Sequence, residues 1–508
     1  MMRPYVVHMA CRVRFLPDDK VAEVPEGTMI SDAAVKAGVE IRLPCGGRGR
    51  CGRCIVLVDN ERVLSCQTAV YDGMVVKVPR KDVGKVIAAT DRKSKVGELS
   101  PISDGYGLAV DIGTTTIAIS VLDMSNGDEV YSASGANAQR SRGEDVLARI
   151  QYAEEGGTNE LRLLVIDSIN RLLSGFKDRT KIKSAYIAGN TAMTHLFLGI
   201  DPSPIRLPPF EPVVKDAKIT GKESMLDIDP SAMVICMPSV SSYVGGDITS
   251  DIVDSGMDRI DGLSLMIDVG TNGEIALGNQ DMLMCCSSSA GPAFEGSQMT
   301  SGMIACTGAV DSVRISDGKV EYTVIGNAEP IGICGSGVID LVAQLFLNGY
   351  VDKRGRFTEI SGAKDGVFTV VGDVVITESE IENVIMTKAA IYSATRSMVR
   401  NLGVEFNDLE NIYIAGGFGN FINMDSAIAI GLFPDVDRDK YHYLGNSSLS
   451  GAKKALLSHT FRERIDEVFP KMTYVDLSSD PIFFDEYMSA QFLPHTDASL
   501  FPSVLKAK

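Results

Sequence analysis

Four cysteines crowd together, Cys45, Cys51, Cys54 and Cys66, in PCGGRGRCGRC followed by VLSC, a C-x5-C-x2-C-x11-C spacing. Four thiolates suit either zinc or an iron–sulfur cluster. The loop favours the cluster. Bridging sulfides need several backbone N–H groups turned toward sulfur, and Gly46, Gly47, Gly49 and Gly52 can supply them through conformations closed to other residues. Zinc sites more often use two separated C-x2-C knuckles; here there is one, and zinc stands as the alternative. Arg48, Arg50 and Arg53 make the loop basic, either to dock an anionic electron donor or as a solvated face. The isolated Cys11, Cys236, Cys306 and Cys334 read as small apolar residues. Adjacent Cys285 and Cys286 read as structural, with redox activity as the alternative.

A second chemistry is written in turns rich in glycine and hydroxyls. In Asp111-Ile112-Gly113-Thr114-Thr115-Thr116 the glycine admits close approach of a phosphate, and hydroxyls and turn N–H groups can bond its oxygens. Asp111 ends a strand, where it could hold Mg²⁺ through water. Asp268, Gly270, Thr271, Asn272 and Gly273 repeat the arrangement, so two loops facing one another would clamp a polyphosphate. Ile412 to Ala415 then lead into Gly416-Gly417-Phe418-Gly419-Asn420, a strand ending in a turn on which a flat adenine could lie. Gly445-Asn446-Ser447-Ser448 reads as a second contact on the adenosine side. Asp247, in Ser242-Tyr243-Val244-Gly245-Gly246-Asp247-Ile248, reads either as the carboxylate that orients an attacking water or as a helix N-cap. Glu274 could take the water-orienting role instead.

These residues need elements to hold them. The first 80 residues alternate in the strand period from Val6 to Phe15, turn at Pro25 to Gly27, and form a short helix from Ser31 to Ala37. Strands return at Ile55 to Val58 and Val75 to Val78, which fits a compact α+β module. Residues 81–105 lose the apolar period and read as a linker. Beyond it, GLAVDIGTTTIAISVLD and LSLMIDVGTNGEIALG each break an apolar strand with Asp-x-Gly-Thr, an internal duplication that predicts two α/β lobes, residues 106–266 and 267–508, facing across a cleft. A long amphipathic helix spans Glu380 to Leu402; its Lys388 falls on the apolar stripe and either snorkels or contacts nucleotide.

With 508 residues and 45% hydrophobic composition the chain can bury substantial cores. A net charge of −17 disfavours nucleic acid as a partner. No secretory signal or apolar stretch of membrane-spanning length is present, which places the chain in the cytoplasm, with no membrane partner.

The cysteine segment resembles the [2Fe–2S] ferredoxins, with a last interval shorter than in plant-type chains. The order of two Asp-x-Gly-Thr loops followed by a Gly-Gly turn resembles the superfamily of acetate and sugar kinases, heat-shock chaperones and actin. That resemblance implies that the two loops hold phosphates and the later turn adenosine. The fold expected is therefore a ferredoxin-like (β-grasp) α+β domain followed by a two-lobed, actin-like α/β ATPase fold.

The combination is similar to the reductive activators of corrinoid proteins, and GNTAMTHLFLGIDP, SAGPAFEG, GICGSGVIDL and SSDPIFFDEYMSAQFLP carry the likeness through most of the chain. It implies a [2Fe–2S] cluster, ATP and Mg²⁺ as cofactors. It also implies transfer of one electron to the inactive cob(II)alamin of a corrinoid methyl-transfer protein, driven by ATP hydrolysis. A low-potential electron donor would be a further partner, and a homodimer is allowed. Some relatives carry an additional domain between ferredoxin and nucleotide fold, whereas here a linker of about 25 residues reaches at most roughly 80 to 90 Å. Two other readings stay open: activation of another low-potential enzyme, such as a 2-hydroxyacyl-CoA dehydratase, and a small-molecule kinase of the same superfamily.

Overall fold

In the computed structural model the described residues are 10–39, 41, 43, 45–50, 52, 54–59, 61–78, 97–291, 293, 294, 299–417 and 422–507. The expectations for Val6 to Met9, Cys51, Arg53, residues 81–96, Phe418, Gly419 and Asn420 lie outside them.

The N-terminal unit is a mixed sheet in the order β2–β1–β5–β3–β4, built from Ala10–Leu16 (β1), Lys20–Pro25 (β2), Ile55–Val58 (β3), Glu61–Leu64 (β4) and Val75–Lys77 (β5). Strand β1 alternates as its sequence requires: Cys11, Val13 and Phe15 point inward, while Arg12 and Arg14 face solvent. The helix Ile30–Lys36 presses Ile30, Ala33 and Ala34 onto that inner face, and this core contains only residues of the unit itself.

The duplication appears as one topology used twice. In the first lobe Tyr106–Ile112 (β6), Thr116–Asp123 (β7) and Glu129–Ala136 (β8) form an antiparallel meander, and Ile182–Gly189 (β9) adds parallel to β6. Ala217–Thr220 (β10) and Met233–Cys236 (β11) complete the order β10–β11–β9–β6–β7–β8. In the second lobe Ser264–Val269 (β12), Gly273–Gly278 (β13) and Leu283–Ser288 (β14) repeat the meander. An insertion follows, with strands Ala309–Ser316 (β15), Lys319–Val324 (β16) and Gly332–Ile333 (β17), then a hairpin Val367–Val371 (β18) and Val374–Thr377 (β19). Asn411–Ala415 (β20) and Tyr441–Gly445 (β21) then add parallel beside β12, and Met472–Tyr474 (β22) closes the far edge. Strands β6 and β12 are apolar and buried along most of their length because helices cover both faces of each sheet.

The expected lobe boundary between residues 266 and 267 falls inside β12, which belongs wholly to the second sheet, so that lobe begins before Ser264. The end of the expected linker is also structured. Ser100 and Ile102 donate their N–H groups to the carbonyls of Leu457 and Leu456, at 2.8 and 2.9 Å, and Arg462 donates to the Ser100 carbonyl.

Each fifth strand of the duplicated core, β11 or β21, leads into a helix, Gly246–Ser255 or Ser447–Leu457, and these two helices pack directly across the lobes. The approach is close enough that a Cβ on Gly451 would lie 1.9 Å from Ser250 Oγ. Ser250 Oγ donates to the Ser448 carbonyl at 2.8 Å, and Lys454 pairs with buried Asp254 at 2.7 Å. Beside these polar contacts one apolar cluster spans both lobes, joining Leu122 and Ile252 of the first to Met266, Leu449 and Leu456 of the second.

The long helix is Glu378–Asn401, opened by a reciprocal cap between Thr377 and Glu380. Lys388 corrects both expectations made for it. It is fully buried, and its ammonium donates to the carbonyls of Phe492 and Pro494 at 2.7 and 2.6 Å, tying down the C-terminal segment. Desolvation holds its pKa well below the ordinary lysine value.

Candidate functional site: a thiol loop and a nucleotide cleft

Of the four expected metal ligands, Cys54 and Cys66 are placed together and Cys45 stands in the same loop, with no group of three ligands gathered among the described residues; Cys51 lies outside them. Cys54 and Cys66 are buried with Sγ atoms 3.2 Å apart, and Cys45 is half-buried at the start of the loop. Gly46, Gly47, Gly49 and Gly52 all have φ between 65° and 81°, the left-handed region that favours glycine. A Cβ at Gly49 would lie 2.8 Å from Gln67 Cδ. Burial, then the hydrogen bond and charge of Cys54, push the Cys66 thiol up, whereas Gln67 and the Gly49 N–H stabilise charge on its sulfur. A donor set of soft sulfurs with N–H groups turned onto it fits an iron–sulfur cluster.

The remaining cysteines are buried. Burial pushes Cys285 up to about 12 and Cys286 well above the ordinary thiol value, which leaves no reactive thiolate there.

Between the lobes lies a cleft of about 580 Å³ whose lining includes Asp111, Gly113 to Thr116, Asp247, Asp268, Gly270 to Asn272, Gly416 and Gly417. Both phosphate loops therefore face one space. The first loop is held from behind. Asn137 donates from Nδ2 to the Gly113 carbonyl and from its N–H to that of Thr115, both at 2.9 Å, and Arg149 donates to the Thr114 carbonyl. A trans peptide points its C=O and N–H in opposite directions, so these contacts aim the N–H groups of Thr114, Thr115 and Thr116 the other way, as a phosphate cradle requires. In the second loop the Thr271 carbonyl accepts from Gly291 N–H at 3.0 Å.

Four helices begin at this cleft, after Asn190, Gly245, Cys334 and Asn446, and their N-terminal dipoles favour an anion. The lining also includes the apolar Met303, Ile304, Val324 and Ile325, a wall suited to a flat base. Sequence reasoning missed this wall, together with Asn137 and Arg149. Asn190, Gly335 and Ser336 were visible only as part of GNTAMTHLFLGIDP and GICGSGVIDL.

Gly416 and Gly417 line the cleft, and Gly416 has a role not foreseen. Its φ is 105°, and a Cβ there would lie 2.5 Å from the Val269 carbonyl and 2.7 Å from Asp268 Oδ1. The glycine thus lets β20 pass directly against the carboxylate. Asn446, Ser447 and Ser448 line the cleft, and Asn446 Nδ2 donates to Asp111 Oδ2 at 2.8 Å, joining the lobes. Asp247 sits in the first turn of its helix with Gly245 as the cap, so the N-cap alternative does not hold. Its Oδ1 accepts from the Ile248 N–H at 2.9 Å.

The carboxylates shape one another. Burial first, then the Asp247 charge, push Asp111 up to about 7, against the pull of the Asn446 amide. Burial pushes Asp247 up to about 6, against N–H donors from Ile248, Asp247 and Gly245. Glu274, beside Asp268 in the β12–β13 register, is raised well above the carboxylate range by burial and by the charges of Asp247 and Asp268. Such a cluster holds protons near neutral pH unless a cation neutralises it.

Comparison with known proteins places these features in a family. Residues 10–81 match the 2Fe-2S iron-sulfur cluster binding domain, residues 106–260 the RACo middle region, and residues 262–505 the C-terminal domain of RACo, the ASKHA domain. Over 94% of its length the chain is 30% identical to the corrinoid activation enzyme RamQ of Eubacterium limosum, and covers 98% of that protein. The chain belongs to the RACo family. A solved structure of a reductive activator for corrinoid, iron-sulfur protein is 34% identical, with a TM-score of 0.76, over 97% of this chain and 100% of the other. The [Co(II) methylated amine-specific corrinoid protein] reductase of Methanosarcina barkeri is 24% identical over 72% of this chain and 73% of the other. In this RACo-family chain the first lobe is the middle region and supplies Asp111, the threonine loop and Asp247; the ASKHA domain supplies Asp268, Gly416 and Asn446. No helix among the described residues is long and apolar enough to cross a membrane.

Proposed function

We propose that this protein is an ATP-dependent reductive activator that returns the inactive cob(II)alamin of a corrinoid methyl-transfer protein to cob(I)alamin. The observation that carries this reading is the joining, in one chain, of a four-cysteine loop and a nucleotide cleft, in a family whose named members act on corrinoid proteins. Cys45, Cys51, Cys54 and Cys66 would hold a [2Fe–2S] cluster, which would supply single electrons drawn from a low-potential donor.

The nucleotide half supplies the driving force. Ferredoxin-type centres sit near about −400 mV, and each further 100 mV uphill costs roughly 2.3 kcal/mol per electron. The N–H groups of Thr114, Thr115 and Thr116 and the second loop, Gly270 to Gly273, bind phosphates, and Gly417 with the apolar wall receives the nucleoside. Asp111 and Asp268 would hold Mg²⁺, which would offset phosphate charge. Asp247 orients the attacking water and accepts its proton; with a pKa raised to about 6 it is largely ionised at neutral pH and close enough to neutrality to take a proton. The cytoplasm is the compartment this assignment fits, since low-potential centres and free thiols persist where the surroundings are reducing.

Adding a corrinoid protein in its Co(II) form should stimulate ATP hydrolysis by the full chain under anaerobic conditions, and the same protein stripped of corrinoid should not. Stimulation by a small metabolite, with a phosphorylated product, would favour the kinase reading instead.

A further inference from the structure

The cysteine loop does not stand free of the ATPase lobes. Arg48, expected to meet an external donor or solvent, instead donates to Glu155 at 2.8 Å and to Gln151, both in the first lobe. Arg142 of that lobe reaches back to Asp32 of the N-terminal unit at 2.7 Å, while held by Glu160 at 2.6 Å. Gly46 sits so close to the lobe that a Cβ would lie 3.1 Å from the Arg142 carbonyl. These contacts are ionic or polar. Among the described residues, the apolar core of the N-terminal unit contains no residue of the first lobe, and the core of that lobe contains none of the unit. A polar interface with separate cores on either side is the kind that opens and closes.

The same stretch of the first lobe reaches the nucleotide. Arg149 is fully buried; its Nε donates to the Gly143 carbonyl at 2.9 Å, next to Arg142, and its Nη2 donates to the Thr114 carbonyl in the phosphate loop. Its Nη1 meets Gln139 Oε1 at 3.1 Å, and Gln139 in turn accepts from Asn137, which holds Gly113 and Thr115. One guanidinium thus links the backbone against the cysteine loop to the backbone that cradles phosphate.

We infer that the face carrying Arg142, Gln151 and Glu155 is a docking site for the chain's own cysteine loop, and that Arg149 couples docking to the state of the phosphate loop. The coupling rests on the reading of the two loops as cluster and phosphate sites. Because linkage is reciprocal, nucleotide then changes how firmly the loop is docked, and docking changes nucleotide affinity by the same factor. Phosphate entering the cradle acts on Thr114, Arg149, Gly143 and Arg142 in turn, and so on the residues around the cluster.

A charge swap tests this in the full chain, prepared anaerobically. Arg48→Glu and Glu155→Arg should each change the affinity for a non-hydrolysable ATP analogue by about fivefold, in the same direction, and the double swap should restore it. Hydrogen exchange in the helix Val146–Tyr152 should quicken in each single variant, and in the wild type should respond to the analogue. With Arg149→Lys, the swaps should lose their effect on affinity while still altering exchange. Unchanged exchange in both single variants would overturn docking. Altered exchange with wild-type analogue affinity in both would overturn the coupling. If the wild type binds no analogue at all, the nucleotide reading itself fails and the coupling falls with it, whereas exchange in the single variants still decides the docking.

Discussion

Replacing Asn446 with Ser separates two roles that one amide now combines. The side chain caps the helix Ser447–Leu457, accepting from Leu449 N–H at 2.7 Å, and it donates to Asp111 Oδ2 at 2.8 Å from the opposite lobe. Serine keeps the cap within a few tenths of a kcal/mol but cannot span to Asp111 in the same geometry. A hydrogen bond to a charged group is worth about 1.5 to 3 kcal/mol, and 1.36 kcal/mol corresponds to one pH unit. The carboxyl of Asp111, already pushed up to about 7 by burial and the Asp247 charge, should therefore titrate about 1 to 2 pH units higher. If ionised Asp111 organises the metal and phosphates, the acid limb of kcat/KM for phosphate release should move up by that amount. Thermal unfolding should stay close to wild type. Asn446→Ala should show the same shift and lose about 1 kcal/mol of stability through the lost cap. An unmoved acid limb in the serine variant would refute the assignment of Asp111 as the group whose ionisation turnover requires.

Asp247→Asn should bind ATP with near wild-type affinity and lose turnover by about 10²-fold, measured by phosphate release; normal turnover would leave Asp247 a structural residue of its helix. Cys54→Ala should abolish the visible spectrum and acid-labile sulfide of anaerobic protein while leaving calorimetric ATP binding measurable; the wild type should carry two irons and two sulfides per chain, and stoichiometric zinc without sulfide would contradict it. Since the folded pKa values of Asp111 and Asp247 are raised, these groups stabilise the ligand-free protein most below about pH 4 and lose that contribution as pH rises through about 6 to about 7. Mg²⁺ competes with those protons, so its thermal stabilisation should grow between pH 6 and pH 8; a stabilisation independent of pH would place the ion elsewhere.

The loops announced themselves because their chemistry is local. An apolar strand ending in Asp-x-Gly-Thr states both an element and its turn, and repetition of the phrase at Asp268 states the second lobe. The cysteine spacing with its left-handed glycines is legible for the same reason. What escaped depends on contacts distant in sequence. Asn446 and Asp111 are 335 residues apart, and neither strand period nor spacing hints that they touch. Arg149 is fully buried because carbonyls of two loops receive its N–H groups, and those loops lie 6 and 35 residues away in sequence. Lys388 misled: a lysine on an apolar stripe suggested snorkelling, but buried carbonyls of the C-terminal segment gave its ammonium partners inside the core.

The most direct test of the account is the anaerobic loss of the cob(II)alamin absorption band of a corrinoid methyl-transfer protein, with a chemical reductant and catalytic amounts of the full chain. The account predicts rapid conversion to cob(I)alamin only with ATP and an intact cysteine set, and little above background with Cys54→Ala or without ATP. Full-rate reduction by the Cys54→Ala chain, or by the wild type without ATP, would contradict it.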